Sequence, residues 1–359
     1  MGVFEEIGGA THEQVVFGHD PASGLKTIIA IHSTALGPAL GGTRFFMYTN
    51  EDEALHDVLR LSRGMSYKSA AAGLDLGGGK AVVIGDPAKH KTERLLRAYG
   101  RVVGSLGGRY ITAEDVGTTT ADMVMIRRET EHVAGLSIEH GGSGDPSPAT
   151  ARGVMAALRS VAIRLWGDEE LAGRKFAVQG VGKVGSSLVE RLAKAGAIIT
   201  VTDVNEAALE RVHREHGVAV VAPDEIWGVE CDVLAPCAMG GAMNAWTVPR
   251  LRCEAVVGSA NNQLETPEDA LRLKERGITY VPDFVVNAGG VINIAHEKGG
   301  YDWQKAAAAV DGIAENVANV FARADAEGVE PQTAAVHLAE ARIETIGGLR
   351  TRLSPGGEL

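Results

Sequence analysis

Length, composition and charge place this chain among two-domain globular proteins. It has 359 residues, of which 45% are hydrophobic and 23% charged, and its net charge is −11 without a basic cluster. These values argue against nucleic acid or an anionic membrane as the main partner.

Targeting and metal-binding signals are absent from the sequence. We find no N-terminal hydrophobic signal and no apolar run of membrane-spanning length, so we expect a cytoplasmic protein. The three cysteines lack zinc spacing, and we interpret each as a small buried hydrophobe. No histidine pattern indicates a metal site, so we expect none.

The first part of the chain alternates strands and helices. We predict strands at 15–17, 25–31, 80–84 and 109–113, a helix from Glu51 towards Met65 that Asn50 caps, and a helix at 91–106. A glycine-rich linker follows at 141–146, after which Ser147 is expected to cap a helix that reaches Trp166.

Short apolar strands then alternate with helices. They are predicted at 176–179, 198–202, 233–235, 255–258 and 278–281, and two long helical patterns occupy 304–348. This alternation indicates an α/β fold with a parallel sheet covered on both faces.

Two lysines lie where the surrounding residues are small or apolar. Lys68 follows Ser66-Tyr67, and Lys80 follows Gly77-Gly78-Gly79. A lysine held against apolar walls loses hydration and can serve as a general base near neutral pH. The glycines are interpreted as a place where backbone approaches a ligand. Alternatively, both are surface lysines at a helix end and a strand start.

A phosphate-binding turn follows the strand at 176–179. Gly180-Val181-Gly182-Lys183-Val184-Gly185 fits GxGxxG and opens a helix. Gly180 permits the tight turn, Gly182 lets backbone N–H groups meet a pyrophosphate, and Gly185 allows close helix–strand packing. Asp203 ends the next strand and would accept hydrogen bonds from the adenosine ribose, which favours NAD over NADP.

Polar residues end two further strands. Asp115 either lines a site or caps the helix at 118–128. Asn261 and Asn262 follow the strand at 255–258, where their amides either hold a nicotinamide or substrate, or satisfy turn backbone.

Seven motifs in order resemble those of the amino-acid dehydrogenases of the glutamate, leucine, valine and phenylalanine family. They lie at 37–44, 65–68, 76–80, 114–117, 179–185, 260–263 and 282–290. The resemblance implies an N-terminal α/β substrate domain at 1–145, a doubly wound Rossmann NAD domain at 146–328, and C-terminal residues 329–359 that return to the first domain. It implies an active site in the cleft between the domains and a homo-oligomer.

By this resemblance, Lys68 binds the substrate carboxylate, Lys80 is the catalytic lysine, and Asp115 handles protons at the amino nitrogen. The implied reaction is reversible oxidative deamination of an amino acid to its 2-oxo acid and ammonium. Further cofactor contacts are implied for Thr150, Cys237, Ala238, Ala260 and Asn261, and further substrate contacts for Leu40, Gly41, Gly42, Ala113, Asn262, Val291 and Ile294.

The residue before the Gly41-Gly42 pair predicts the substrate. Glutamate-specific relatives have a lysine there, whereas this chain has Leu40, which favours leucine or valine. Ala113 leaves less room for a ring than the glycine of phenylalanine-specific relatives, and the bulk of Ile294 tilts the expectation towards valine. A phenylalanine dehydrogenase, a hydroxy-acid dehydrogenase and a non-catalytic NAD-binding regulator are the alternatives.

Overall fold

The computed structural model describes residues 11–353, which divide into two compact units. The first unit contains residues 11–145, Ile294–Asp302 and residues 339–353, and the second contains Pro146–Asn293 and Trp303–Leu338. The observed units differ from the expected domains in two places. Residues 294–302 belong to the first unit, and the C-terminal part of the chain returns to the first unit at residue 339 instead of 329. The parts of the expected domains at 1–10 and 354–359 lie outside the described residues.

A mixed five-stranded sheet forms the centre of the first unit. Its strands are β1 (Gln14–Asp20), β2 (Leu25–Ser33), β3 (Ala39–Phe46), β4 (Gly77–Ile84) and β5 (Tyr110–Glu114). The order is β1-β2-β4-β3-β5; β2 is antiparallel to β1 and β4, and β3 is parallel to β4 and β5.

Strand β3 is absent from the sequence-based prediction, because Gly41 and Gly42 interrupt its pattern. Both glycines are required by close packing between strands. A Cβ on Gly41 would lie 1.7 Å from the carbonyl oxygen of Gly79, and one on Gly42 would lie 2.5 Å from that of Glu114. Real Cβ atoms do not approach so closely, so only glycine lets β3 lie between its two neighbours.

The interpretation of Gly77-Gly78-Gly79 as a ligand approach is wrong. A Cβ on Gly77 would lie 2.0 Å from the carbonyl oxygen of Ser33, and one on Gly78 would lie 2.1 Å from the backbone nitrogen of Ser66. A Cβ on Gly79 would meet the Tyr110 ring at 2.7 Å. The three glycines therefore let β4 pack against the protein itself.

Helices cover both faces of this sheet. They are Glu51–Ala71, Pro87–His90, Glu93–Gly104 and Thr120–Arg127. The helix Glu51–Ala71 packs Leu55, Val58 and Leu59 against Ile28 and Val82 of the sheet. It extends six residues beyond Met65, where the prediction ended it, and so places Lys68 inside its last turn.

Two predicted caps have different outcomes. The Asn50 side chain accepts a hydrogen bond from Glu53 N, as expected of a helix cap. The cap expected of Ser147 is wrong, because the helix Ser147–Trp166 begins at that residue and Pro146 occupies the flanking position.

A parallel six-stranded sheet forms the second unit. Its strands are β6 (Lys175–Gln179), β7 (Ile198–Thr202), β8 (Ala219–Val220), β9 (Val233–Pro236), β10 (Ala255–Val256) and β11 (Thr279–Tyr280), in the order β11-β10-β9-β6-β7-β8. All of the pairings are parallel. The predicted doubly wound α/β fold is therefore confirmed.

The helices of the later chain follow the predicted alternation, with one additional break in the tail. They are Ser147–Trp166, Lys183–Lys194, Glu206–His216, Glu268–Glu275, Asp283–Val286, Gly289–Ala295, Trp303–Asp311, Ile313–Glu327 and Pro331–Leu353. The tail forms three helices instead of two, because Gly312 separates the first from the second. Among residues 11–353, no helix has the length and apolar character needed to cross a membrane.

A buried histidine makes the stability of the first unit sensitive to acid. His32 is 6% exposed, and its ring contacts Ser66 Oγ at 2.8 Å and lies edge-on to His12. Burial, the neighbouring His12 and Arg63 lower the pKa of His32 from 6.5 to about 4. Below pH 6.5 the unfolded chain therefore takes up a proton that the folded chain does not.

We expect the free energy of unfolding, measured by urea denaturation, to fall as the pH is lowered from about 6.5 to about 4. The contribution of His32 to this slope is at most about 1.4 kcal/mol per pH unit. The variant His32→Asn removes the titrating ring and is expected to flatten the slope. The variant His19→Gln, at an exposed position, is the matched control. If His32→Asn had the same pH dependence of unfolding free energy as the wild type, His32 would not be the group responsible for the acid sensitivity.

Candidate active site

A lysine and an aspartate meet on one face of the five-stranded sheet. Lys80 lies within β4 and is 7% exposed, and Asp115 directly follows β5. The Lys80 Nζ donates a hydrogen bond to Asp115 Oδ2, which forms an ion pair. Asp115 is therefore not the cap of the following helix, a position that Thr119 occupies.

The strand register explains why these groups come together. Leu40 pairs with Gly78 and Thr43 with Ala81, so Gly42 lies beside Lys80. On its other side Gly42 pairs with Ala113. Because residues two apart on a strand face the same side, Leu40, Lys80, Ala113 and the following Asp115 share one face.

Two cations control the charge of Asp115. Burial by itself would raise the pKa of this carboxyl, but the charges of Lys80 and Arg44 overcome that effect and lower the pKa to about 2. Arg44 Nε lies 3.5 Å from Asp115 Oδ2. Asp115 is therefore ionised at neutral pH and accepts hydrogen bonds from cationic groups.

Arg44 is a site residue that the sequence reasoning did not single out. Its guanidinium contacts Asp57 Oδ2 at 3.0 Å, and that oxygen also accepts a hydrogen bond from Tyr48 at 2.8 Å. The arginine thus bridges the carboxylates of Asp57 and Asp115. The available signal was a charged residue at the end of the Gly41-Gly42-Thr43-Arg44 motif, within a largely buried strand.

The helix that carries Lys68 packs directly on β4. The backbone nitrogen of Ser66 would lie 2.1 Å from a Cβ on Gly78, and Lys68 is two residues farther along this helix. The lysine is half-buried. The glycine at position 78 therefore brings the last turns of this helix, with Lys68, close to the strand of Lys80.

Apolar residues of the first unit form a wall near the ion pair. Leu40 and Ala113 are 3% and 5% exposed. A Cβ on Gly135 would lie 3.8 Å from Ile294 Cδ1 and 3.9 Å from Ala113 Cβ, so the two side chains approach the same point. Ala113 and Ile294 are thus close in space although they are far apart in sequence.

A half-buried network that sequence reasoning also missed holds the loop around Gly135. The Glu297 carboxylate accepts hydrogen bonds from Gly135 N at 3.0 Å, from Ser143 N at 2.7 Å and from Ser143 Oγ at 2.6 Å. Glu297 lies three residues after Ile294. This carboxylate therefore fixes the loop next to the apolar wall, and no local sequence pattern indicates it.

In the second unit, the three glycines of the turn have separate roles. Gly180 has a φ of +97°, and a Cβ there would lie 2.7 Å from Ala238 Cβ. A Cβ on Gly185 would lie 2.0 Å from the carbonyl oxygen of Gly180, whereas one on Gly182 would meet nothing within 4 Å. Gly180 and Gly185 thus serve packing, and the space at Gly182 is free for a ligand.

Further predicted cofactor residues lie around this turn. Asp203 follows β7 and accepts hydrogen bonds from Val181 N at 2.7 Å and Asn205 N at 2.9 Å. Cys237 N donates to the Gln179 carbonyl at 2.7 Å, and burial raises the pKa of the Cys237 thiol. Lys183 and Val184 begin the helix Lys183–Lys194.

The loop 260–262 is held by a dense hydrogen-bond network. Asn262 has a φ of +51°, and within the described part of the chain no other non-glycine residue has a positive φ. Its backbone nitrogen donates to Asp283, and the Asn287 side chain donates to Asn261 Oδ1 at 2.9 Å. Ala260 N donates to the carbonyl of Pro236 at the end of β9 at 2.9 Å. The loop therefore lies at the carboxyl edge of the sheet.

The remaining predicted residues of the second unit lie on its helices. Thr150 Oγ1 donates to the Pro146 carbonyl at 3.1 Å and would lie 2.9 Å from a Cβ on Gly290. Val291 is 8% exposed on the helix Gly289–Ala295. No group of three or more histidine, cysteine, aspartate or glutamate side chains suited to a metal occurs within residues 11–353.

The second unit fits a dinucleotide. The space at Gly182 admits a phosphate to the start of a helix, where backbone N–H groups and the helix dipole favour an anion. In addition, Gln179 Oε1 and Asn287 Oδ1 are buried without a hydrogen-bond partner among the described residues. Such acceptors suit the N–H groups of a bound cofactor. A doubly wound parallel sheet with a glycine turn of this kind is typical of the dinucleotide-binding domains of nicotinamide-dependent dehydrogenases.

Comparisons with known proteins identify the family. A model described as Glu/Leu/Phe/Val dehydrogenase, dimerisation domain, matches residues 12–132, and the Glutamate/Leucine/Phenylalanine/Valine dehydrogenase model matches residues 141–217 and 204–345. The chain is 50% identical to a leucine dehydrogenase from Geobacillus stearothermophilus, over 99% of this chain and 97% of that protein. It is 53% identical to a valine dehydrogenase from Streptomyces virginiae, over 92% and 94% of the two chains.

A solved structure agrees with this result. The L-tryptophan dehydrogenase from Nostoc punctiforme superposes with a TM-score of 0.84 and 44% identity, over 96% of this chain and 99% of that chain. The chain therefore belongs to the glutamate, leucine, phenylalanine and valine dehydrogenase family, in its leucine and valine dehydrogenase branch. It is an amino-acid dehydrogenase, an oxidoreductase that acts on CH–NH₂ groups with a nicotinamide dinucleotide.

Proposed function

We propose that the chain catalyses the NAD-dependent, reversible oxidative deamination of a branched aliphatic L-amino acid, leucine or valine, to its 2-oxo acid and ammonium. The observation that carries the proposal is the ion pair of Lys80 with Asp115 beside the apolar side chains of Leu40 and Ala113. Acid–base groups for the amino nitrogen and an uncharged wall for the side chain thus occur on one sheet face. The relatives named leucine and valine dehydrogenase support the same substrate class.

The reaction begins with the binding of the amino acid by charged groups of this chain. The Lys68 ammonium binds the substrate carboxylate. The Asp115 carboxylate, which is ionised, accepts hydrogen bonds from the substrate ammonium and then a proton from it. The substrate ammonium competes with Lys80 for Asp115, and this competition releases the Lys80 ammonium from its ion pair, so that it can lose a proton to solvent and become a neutral amine.

Lys80 acts in the hydrolytic half of the reaction. A bound nicotinamide would supply the acceptor for the Cα hydride, and the substrate would then be an iminium. Lys80 activates a water molecule that attacks the iminium carbon. Asp115 then returns a proton to the nitrogen, and as ammonia leaves the hydroxyl proton of the intermediate passes to solvent. In the reverse direction, the same two groups assist the addition of ammonia to the 2-oxo acid.

The apolar wall selects a branched side chain. Leu40, Ala113 and Ile294 offer no charge to a substrate carboxylate, so glutamate is excluded. Ala113 restricts the room for an aromatic ring, and the size of Ile294 favours valine over leucine by at most about 1–3 kcal/mol. Contacts of Gly41, Gly42, Asn262 and Val291 with the substrate rest on the family motifs. Phenylalanine is the alternative substrate.

Assays of nicotinamide absorbance with valine, leucine, phenylalanine and glutamate at equal concentration test this proposal. We expect valine and leucine to give the highest kcat/KM. If glutamate or phenylalanine were the best substrate, the proposal that Leu40, Ala113 and Ile294 select a branched aliphatic side chain would be refuted.

The cofactor is NAD instead of NADP. The Asp203 carboxylate, next to the glycine turn, would accept hydrogen bonds from the ribose hydroxyls and would repel a 2′-phosphate. Arg211 is the nearest candidate to neutralise that phosphate, but it donates a hydrogen bond to Ser186 Oγ at 3.2 Å. Contacts of the cofactor with Thr150, Cys237, Ala238, Ala260 and Asn261 complete the proposed site.

We expect wild-type protein to have a much higher kcat/KM with NAD than with NADP, and Asp203→Ser to reduce that ratio at least about tenfold, as loss of one charged contact implies. The variant Glu206→Gln, three residues farther along, removes a neighbouring exposed charge and is the control. Equal efficiency of the two cofactors with the wild type would show that Asp203 does not contact the ribose.

The same proposal includes the assembly and location of the enzyme. The match of residues 12–132 to a dimerisation domain supports a homo-oligomer. We place the enzyme in the cytoplasm, with small metabolites as its partners and neither nucleic acid nor membrane among them.

A further inference from the structure

Two cysteines oppose each other at the amino ends of neighbouring strands in the second unit. Val233 of β9 pairs with Ala255 of β10, and an isolated bridge joins Glu230 to Arg252. Both pairings join residues 22 positions apart. Cys231 and Cys253 have the same separation and lie between these two pairs, so they are directly opposite each other. The backbone nitrogen of Cys231 donates to the carbonyl of Arg252 at 3.1 Å, which keeps the two segments in this register.

This register places the two cysteines within the range that a disulfide requires. Directly opposed residues on neighbouring strands have Cα atoms about 4.8 Å apart, and a disulfide requires a Cα separation of about 4.4–6.8 Å. Both cysteines are free, and because directly opposed residues on neighbouring strands point to the same side of the sheet, their side chains lie next to each other. A covalent link between them therefore needs little movement of the backbone.

A cavity gives small molecules access to the pair. It has a volume of about 350 Å³ and is lined by both cysteines, together with Lys175, Asp232 and Arg276. It lies where β6, β9 and β10 begin. The glycine turn and the loop 260–262 follow the carboxyl ends of these strands, so the cavity is separate from the cofactor site.

The two thiols have different reactivity. The hydrogen bond from Cys231 lowers the pKa of the Cys253 thiol, and the charge of Arg276 contributes in the same direction. The same hydrogen bond and burial raise the pKa of the Cys231 thiol. Arg276 is held in place by the carbonyl of Leu251 at 2.9 Å. Cys253 is also the more exposed of the two, since Cys231 is buried and Cys253 is half-buried beside the cavity that Arg276 lines. Cys253 is therefore the attacking sulfur and Cys231 the resolving one.

We propose that Cys231 and Cys253 form a dithiol site that low-molecular-weight disulfides convert reversibly into an intramolecular disulfide. The Cys253 thiolate attacks one sulfur of the small disulfide, which breaks its S–S bond, releases one thiolate and leaves a mixed disulfide on Cys253. The Cys231 thiol then loses its proton, and its sulfur attacks Cys253 and releases the second small thiol. Two electrons pass from the protein thiols to the small disulfide, which is reduced to two thiols.

Glutathione disulfide added to the native, reduced full-length protein tests this proposal. Peptide mass mapping without reductant is expected to show a 231–253 cross-link, the loss of two of the three thiols, and their recovery with dithiothreitol. The variant Cys231→Ser is expected to retain a glutathione adduct on Cys253, because the resolving thiol is missing. The variant Cys237→Ser is expected to form the cross-link as the wild type does.

Three results would overturn the proposal. They are a cross-link that includes Cys237, a link between two chains instead of within one, and retention of all three thiols in the native wild-type protein. Each is read from wild-type peptides, so the test does not depend on the folding of any variant. The readout is a covalent bond and is independent of the dehydrogenase reaction.

Discussion

Replacement of Lys80 by alanine is expected to lower kcat by about 10²–10⁴-fold, the usual contribution of a positioned acid–base group. The Lys80 amine directly contacts Asp115, and nothing else in that ion pair can activate water. NAD binding is expected to persist, because the glycine turn belongs to the other compact unit. Single-turnover rates and a fluorescence titration with NADH measure the two effects separately.

Controls distinguish a chemical role of Lys80 from a structural one. In Lys80→Ala, Arg44 still lies 3.5 Å from Asp115, so the buried carboxylate retains a cationic partner. A small primary amine in the buffer is expected to restore part of the lost turnover. The variant Lys194→Ala removes an exposed lysine of the pair with Glu190 and should have no effect. A Lys80→Ala protein with more than about a tenth of wild-type kcat would contradict the catalytic assignment.

Introduction of a lysine at position 40 is expected to shift the preference towards glutamate. Leu40 is 3% exposed, so the wild type would bury the side-chain carboxylate of glutamate without a cation. A buried charge without its partner costs about 3–5 kcal/mol, which corresponds to a discrimination of about 10²–10³-fold or more. In Leu40→Lys the new ammonium supplies the partner, and kcat/KM for glutamate relative to leucine should rise by a comparable factor.

The control must separate charge from size. Leu40→Met has a similar volume without charge and is expected to keep the preference for leucine or valine over glutamate. Because a buried lysine destabilises the free protein, thermal unfolding of Leu40→Lys is measured beside the kinetics. The wild-type protein alone also tests the role of Leu40. If it oxidised glutamate readily, Leu40 would not be the residue that excludes a charged side chain.

The turn at 180–185 could be predicted from sequence because its physics is local. An apolar strand, three spaced glycines and a helix start lie within about ten residues, and their geometry depends on neighbouring backbone only. The prediction of a parallel sheet is confirmed for the same reason, since each strand and helix has its own pattern. The sequence also predicted Lys80 and Asp115 as site residues, through motifs that resemble those of the family, and the structure brings the two side chains together in an ion pair.

Contacts between distant segments could not be predicted in this way. The glycines before Lys80 suggested a ligand but pack on Ser33, Ser66 and Tyr110, because three separate elements converge on β4. Strand β3 was missed since its glycines look like a break in isolation and become necessary only between two neighbouring strands.

The sequence by itself determined the class of enzyme, through motifs that resemble those of the family, and the glycine turn, through its local strand–turn–helix pattern; the reactive roles of Lys80 and Asp115 stay predictions. Only the tertiary structure decided that Arg44 joins Asp115 to Asp57, that Glu297 holds the loop at Gly135, and that Cys231 opposes Cys253. Each of these contacts depends on strand register and side-chain packing between segments far apart in the chain. The register between two strands is set by which face of each strand is buried in the core, and the local sequence of one strand does not specify the register of its partner.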